Sequence, residues 1–203
     1  MSSSLEDNDQ QRGDGKQCSD GEPRGSWRQL DHRLVYENPW ISVTHENVLT
    51  PAGTAGIYGV VHFKSRAVGV VPLDDEGYVW LVKQFRYPLN QYSIEIPEGG
   101  SPLSEDMLET AQRELREETG LSANNWTHLL DLHTSNSVTD ESGAIYLAQG
   151  LTQGQMNLEA SEDIEVLRVS LADAIDWVFA GKITDSLSVM GLLAAQRKVS
   201  RDA

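Results

Sequence analysis

Residues 99–121 read Gly99-Gly100-Ser101-Pro102-Leu103-Ser104-Glu105-Asp106-Met107-Leu108-Glu109-Thr110-Ala111-Gln112-Arg113-Glu114-Leu115-Arg116-Glu117-Glu118-Thr119-Gly120-Leu121. The spacing predicts a helix over Glu105–Thr119. Ser104 can cap it, Glu105 and Asp106 suit the positive end of the helix dipole, and Gly120 is a C-terminal stop. Leu108, Ala111 and Leu115 recur at i, i+3 and i+7 and draw one buried stripe. On such a helix Glu114 and Glu118 stand one turn apart and Glu117 lies three residues beyond Glu114, so the three carboxylates project from one side. Like charges at that spacing repel, and the C-terminal end of the dipole disfavours anions. A sequence that accepts both costs has a cation to hold. Oxygen ligands, with no His or Cys at matching spacing, point to Mg²⁺ or Mn²⁺ rather than Zn²⁺.

Around this helix the text is mostly strand. Upstream, Leu34-Val35-Tyr36, Trp40–Val43 and Ile57–Phe63 are short β-like runs punctuated by Asn38-Pro39 and Thr50-Pro51-Ala52-Gly53. Ala67–Pro72 and Tyr78–Phe85, separated by Asp74-Asp75-Glu76-Gly77, read as a hairpin whose first strand is apolar throughout and buried on both faces. Downstream, His128–His133, Gly143–Ala148 and Glu165–Val169 read as strands, followed by helices over Leu171–Ala180 and from Asp185 to about Lys198. Strands interleaved with helices give an α/β fold. Residues 1–26 hold almost nothing to bury and read as a disordered tail, with Cys18 inside it.

The chain has 203 residues, 31 of them acidic and 16 basic, for a net charge of −15. That balance argues against nucleic-acid binding, which needs clustered Lys and Arg on phosphates. It leaves open a small phosphorylated substrate, because a bound divalent ion reverses the local field. The single Cys fits a reducing compartment. No apolar run approaches the roughly 20 residues of a membrane helix, and the first residues lack the pattern of a signal peptide. The expected location is cytoplasmic, with no membrane partner.

A Glu-rich helix end alone is commonly a solvated surface; the wider spacing removes that reading. Gly99, Glu105, Arg113-Glu114-Leu115, Glu117-Glu118 and Gly120-Leu121 match the Nudix box at every defined position, a coincidence expected about once in a billion start points. The chain resembles the Nudix hydrolases, which cleave nucleoside diphosphates linked to another moiety. Ile94-Glu95-Ile96-Pro97-Glu98-Gly99-Gly100 and Lys83-Gln84-Phe85-Arg86-Tyr87 resemble segments of the ADP-sugar pyrophosphatase branch, and Asn38-Pro39-Trp40 with the following β segment resembles that branch's N-terminal dimerisation lobe. The resemblance implies a Nudix α/β/α sandwich with a mixed sheet over residues 67–203. It also implies an N-terminal antiparallel β lobe over 27–66 used in a homodimer.

Residue by residue, the resemblance makes Glu114 and Glu118 metal ligands, with the backbone carbonyl of Glu98 as a further one and Glu117 serving the metal or the water. Arg113 would orient carboxylates by ion pairing. The general base would come from the acidic loop Gln155–Asp163, with Glu162 first and Glu159 second. Arg86 would bind the diphosphate, since a guanidinium offers paired hydrogen bonds to phosphate. Trp40 and Tyr58 would stack the nucleobase, one of them from the partner subunit. The implied reaction is Mg²⁺-dependent hydrolysis of ADP-ribose to AMP and ribose 5-phosphate, with Mn²⁺ as a possible substitute.

One departure bears on the substrate. Where ADP-ribose enzymes of this branch commonly carry a Pro about 16 residues beyond the box, this chain has Ser135-Asn136-Ser137-Val138-Thr139-Asp140-Glu141. GDP-mannose or another nucleotide sugar is therefore an alternative. A module of the same fold that senses a nucleotide sugar without cleaving it is the rival from another class, but such modules typically lose box carboxylates and here all are present.

Overall fold

The turn residues near the N-terminus divide four strands, β1 (Glu22–Arg24), β2 (Trp27–Glu37), β3 (Ile41–Leu49) and β4 (Ala55–Phe63), which pair in chain order. Their connections are short, so neighbours run antiparallel. Gly25 takes φ 61° between β1 and β2. Between β2 and β3 the Asn38 carboxamide oxygen accepts the N–H of Trp40 at 2.9 Å and of Ile41 at 2.8 Å, an Asx turn. The computed structural model describes residues 21–158 and 163–202. The expected tail over 1–26 thus ends in structure: Glu22–Arg24 pair with Trp27–Gln29. Cys18 lies outside the described residues.

The described residues divide into two compact units, one made of residues 21–33 with His45–Gly59, the other of Leu34–Thr44 with the described residues from Val60 on. In the first, Glu46 is buried and meets Arg24 at 3.6 Å. Tyr58 packs edge-on against Trp27, with ring centroids 5.7 Å apart.

The second unit carries seven further strands: β5 (Ser65–Pro72), β6 (Tyr78–Arg86), β7 (Gln91–Glu95), β8 (Glu98–Pro102), β9 (Leu121–His133), β10 (Ser142–Gln153) and β11 (Glu165–Ser170). They form a four-stranded mixed sheet in the order β8-β5-β10-β9, in which only β5 and β10 are parallel, and an antiparallel sheet β11-β6-β7. The expected β5–β6 hairpin is therefore corrected. After one bridge, Leu73 with Val79, the two strands part into different sheets. β5 is apolar on both faces; insertion between β8 and β10 pairs both its edges, and helices cover its two faces.

Helix α1 (Met107–Thr119) covers one face, where Ala111 and Leu115 meet Val68, Val70 and Leu121. Helices α2 (Leu171–Phe179) and α3 (Ser186–Asp202) serve the other, where Ala174, Ile175, Leu187 and Leu192 meet Val71, Ile145 and Leu147. The two-residue period of β5 and β10 feeds both clusters, which is what makes a helix–sheet–helix sandwich. Among the described residues no helix is long and apolar enough to cross a membrane.

The start of α1 differs from the sequence reading. Asp106, not Ser104, is the N-cap, accepting the N–H of Leu108 at 2.8 Å. The preceding residues are taken by a turn, in which Glu105 donates its N–H to the Pro102 carbonyl at 3.0 Å. Gly120 ends the helix as expected, at φ 72°, with its N–H on the Arg116 carbonyl.

Candidate active site

Glu114 and Glu118 lie on the buried stripe of α1, in register with Ala111 and Leu115, rather than on a solvated side. What lets them stay there is the backbone of β8. The Glu118 carboxylate accepts the N–H of Glu98 at 3.1 Å. A Cβ at residue 99 would collide with the carboxylate of Glu114, so glycine is required for that approach. Both carboxylates thus converge on Glu98-Gly99 at the floor of a cleft of about 580 Å³, lined also by Trp40, Lys64, Arg86 and Arg113.

Arg113 gathers the remaining charge on α1. Its Nη1 lies 2.8 Å from Glu114 Oε1 and 2.9 Å from Glu117 Oε2, and its Nε 3.9 Å from Glu105. These carboxylates hold its ionisation above the ordinary guanidinium range although burial opposes them. Glu117 faces Arg113 and does not line the cleft.

The opposite wall is a second acidic group, in which sequence reasoning gave a role to Glu98 alone and left Glu95 and Asp185 without one. Arg86, at the end of β6, grips the buried Glu95 with its Nε at 2.9 and 3.1 Å and its Nη2 at 2.6 Å, and reaches Glu98 Oε1 at 2.6 Å. Glu95, Glu98 and Asp185 each bring a carboxylate oxygen within 4.8 Å of the others. Asp185 caps α3, accepting the N–H and hydroxyl of Ser188, each at 2.8 Å. Burial, then the charges of Asp185, Glu95 and Glu118, push the Glu98 carboxyl well above the ordinary range, against the pull of Arg86. Its Oε2 is buried without a hydrogen-bond partner. Burial lowers Arg86, but the Glu95 hydrogen bonds and the neighbouring carboxylates outweigh it and raise its pKa. Arg86 is therefore permanently charged, with much of that charge already matched. Glu95 carried a signal, an acid between two isoleucines in a strand; Asp185 carried only that of a helix cap.

Two further lobes open from Arg86 and Glu98. One, of about 530 Å³, has Trp40, Phe63, Thr134, Glu141 and Asp185 in its walls, and the other, of about 440 Å³, has Leu89, Ser93, Glu95 and Asp185. The cleft and its lobes bring together Glu98, Glu114, Glu118, Arg86 and Trp40. Tyr58 belongs to the other unit, on Trp27. Glu159 and Glu162 lie outside the described residues. The segment leading to them leaves the end of β10 and runs beside the end of α1, where Asn157 donates its N–H to the Glu117 carbonyl at 3.0 Å.

The donor set at the floor fits a hard divalent cation: two carboxylates on one helix face, closed against a strand whose glycine leaves no Cβ between them and the backbone. Such a carboxylate cleft, on a mixed sheet with helices on both faces, defines a Nudix hydrolase. The chain belongs to the Nudix family: the NUDIX domain matches residues 63–187, and the Nucleoside diphosphate sugar hydrolase N-terminal domain matches residues 27–61. The ADP-ribose pyrophosphatase of Bacillus subtilis (strain 168) is 33% identical over 171 residues, which cover 83% of this chain and 92% of that protein. The ADP-ribose pyrophosphatase of Mycobacterium tuberculosis (strain ATCC 25618 / H37Rv) is 36% identical over 169 residues, 81% of each. A crystal structure of ADP compounds hydrolase shares the fold, with a TM-score of 0.80 at 21% identity over 90% of this chain and 99% of that one.

Proposed function

We propose that this protein hydrolyses the diphosphate bond of ADP-ribose, giving AMP and ribose 5-phosphate. The observation that carries the reading is the convergence of Glu114 and Glu118 on the Glu98-Gly99 backbone at the cleft floor; the names of the two bacterial relatives supply the substrate. Glu114, Glu118 and the Glu98 carbonyl hold Mg²⁺, with Mn²⁺ as substitute and Glu117 at the edge of the set. When bound, the ion neutralises phosphate oxygens and lowers the pKa of a coordinated water. Arg113 keeps the α1 carboxylates oriented. Arg86 binds the diphosphate from the wall, and Trp40 stacks the adenine, with Tyr58 supplied by the partner subunit. Glu162, or failing it Glu159, accepts the proton of the attacking water. The water oxygen bonds to phosphorus as the bond to the bridging oxygen breaks.

The test is phosphate release, after phosphatase coupling, across nucleotide sugars, dinucleotides and nucleoside triphosphates with Mg²⁺, for wild type and Glu118→Gln. Turnover of ADP-ribose that is lost in the variant supports the reading. Cleavage of GDP-mannose alone replaces the substrate, and tight binding without cleavage replaces hydrolysis with sensing.

The protein acts in the cytoplasm as a homodimer formed through residues 27–66. The support is the apolar surface this lobe leaves in water: Leu34 is 56% exposed, Val35 54% and Ile57 69%. Light scattering should give about twice the chain mass of 22.4 kDa; a monomer at micromolar concentration would sink the dimer.

A further inference from the structure

The segment joining β9 to β10 supplies Thr134 and Glu141 to the lobe that also contains Trp40 and Phe63. Within itself it is held by a short link, Thr134 Oγ1 to Glu141 Oε2 at 2.6 Å. It is tied to the rest of the unit through the end of β4. Val61 donates its N–H to the Val138 carbonyl at 2.9 Å and pairs as a parallel bridge with Thr139. The Asp140 carboxylate then takes two donors from β4, the backbone N–H of Phe63 at 3.0 Å and the ring Nδ1 of His62 at 2.6 Å. On its far side the His62 ring meets Thr44 Oγ1 of β3 at 3.1 Å. One residue further along, Lys64 donates its N–H to the Trp40 carbonyl at 2.9 Å. Trp40, Phe63 and the Thr134–Glu141 segment, three parts of the lobe's wall, therefore all refer to the same short stretch at the end of β4.

From this geometry we infer that His62 and Asp140 are positioning residues that latch the Thr134–Glu141 segment across from Trp40 and Phe63, and so set substrate affinity without touching substrate. The inference rests on the proposed function in taking this lobe as part of the substrate site. A carboxylate only accepts, so His62 Nδ1 carries the proton that Asp140 receives. Its Nε2 faces a hydroxyl, which donates to a neutral ring and accepts from a charged one, so the latch persists in both states of the histidine. Neither residue lines the lobe, and the pair lies apart from the Glu114–Glu118 floor. Opening it moves one wall and leaves the reacting end in place, and a displaced wall costs affinity before it costs rate.

The test is a double-mutant cycle on His62→Ala and Asp140→Ala, with Asp140→Asn as the conservative variant. Two quantities are read: kcat and KM on ADP-ribose, and the affinity for its α,β-methylene analogue, which cannot be hydrolysed, in calorimetry with Mg²⁺. The expected result is a rise of about tenfold in KM and in the analogue's Kd for each alanine variant, with kcat within twofold. The double variant should be no worse than Asp140→Ala, which also frees the Phe63 N–H, and Asp140→Asn should recover most of the loss. Additive losses, losses in kcat as large as those in KM, or affinities within twofold of wild type would each overturn the latch. If the wild type binds the analogue but cleaves nothing, the hydrolase reading fails while the affinity cycle still decides this one. If the wild type binds neither compound, both fall.

Discussion

At the scale of single residues, the role proposed for Arg86 and its place in the fold pull in different directions. As the proposed ligand for diphosphate it would need free donors; in the fold it already gives three hydrogen bonds to Glu95 and one to Glu98. Glu95 is only 2% exposed, so the guanidinium is what makes that buried charge tolerable. Arg86→Met should therefore lose activity and also about 3 kcal/mol of stability in urea denaturation, because Glu95, Glu98 and Asp185 are left facing one another. Arg86→Met with Glu95→Gln should recover most of the stability and none of the activity. If Arg86→Met unfolds at the wild-type midpoint, the ion pair is not what holds this wall.

At the scale of elements, the start of α1 shows how far local pattern carries. Ser104 and Asp106 are both good caps by type, and only the turn over Pro102–Glu105 decides between them. Asp106→Ala should cost about 1 kcal/mol in thermal or urea unfolding, and Ser104→Ala should cost nothing measurable; the reverse order would mean the helix begins a turn earlier. The Glu114–Glu118 spacing and the Gly120 stop were legible because one helical turn lies within five letters of text. The separation of β5 from β6 was not, because strand partners are chosen by distant segments: β10 and β8 for β5, β11 and β7 for β6. Glu95 and Asp185 were missed for a like reason, since Arg86 meets Glu95, and Asp185 meets Glu95 and Glu98, only after folding. The turn that joins β5 to β6 has its own handle. Asp74 accepts the N–H groups of Glu76 and Tyr78 through Oδ1, both at 3.0 Å, and binds Arg168 of β11 through Oδ2 at 2.8 Å. Burial raises its pKa, but these partners together outweigh burial and hold it below the ordinary carboxylate value of 3.8. A depressed pKa gives stability that is complete above the unfolded value and is lost as pH falls through the folded one. Asp74→Asn should thus lower the melting temperature at pH 7, and the gap to wild type should shrink as pH falls below the ordinary carboxylate value; a gap that stays constant with pH would show that the carboxylate's charge is not the source of the effect.

At the scale of the whole molecule, a chain of charge −15 is set to cleave an anion. Among the cations in the walls of the Glu114–Glu118 cleft, Arg86 and Arg113 are matched by carboxylates, and Lys64 pairs with Glu37 at 2.8 Å. The long-range field therefore repels free substrate and attracts the divalent ion, and salt screens both. The two halves should respond with opposite slopes. Raising ionic strength from about 20 mM to 150 mM shortens the screening length from roughly 20 Å to 8 Å. The apparent Mg²⁺ affinity, read by titrating activity at fixed ADP-ribose, should then weaken several-fold. At saturating Mg²⁺, kcat/KM for ADP-ribose should instead hold or rise, because only the repulsion is left to screen. A basic cleft would lose kcat/KM with salt under the same conditions. A fall in both quantities would show that positive groups beyond Arg86, Arg113 and Lys64 draw the substrate in, and would place the source of that field outside the walls described for this cleft.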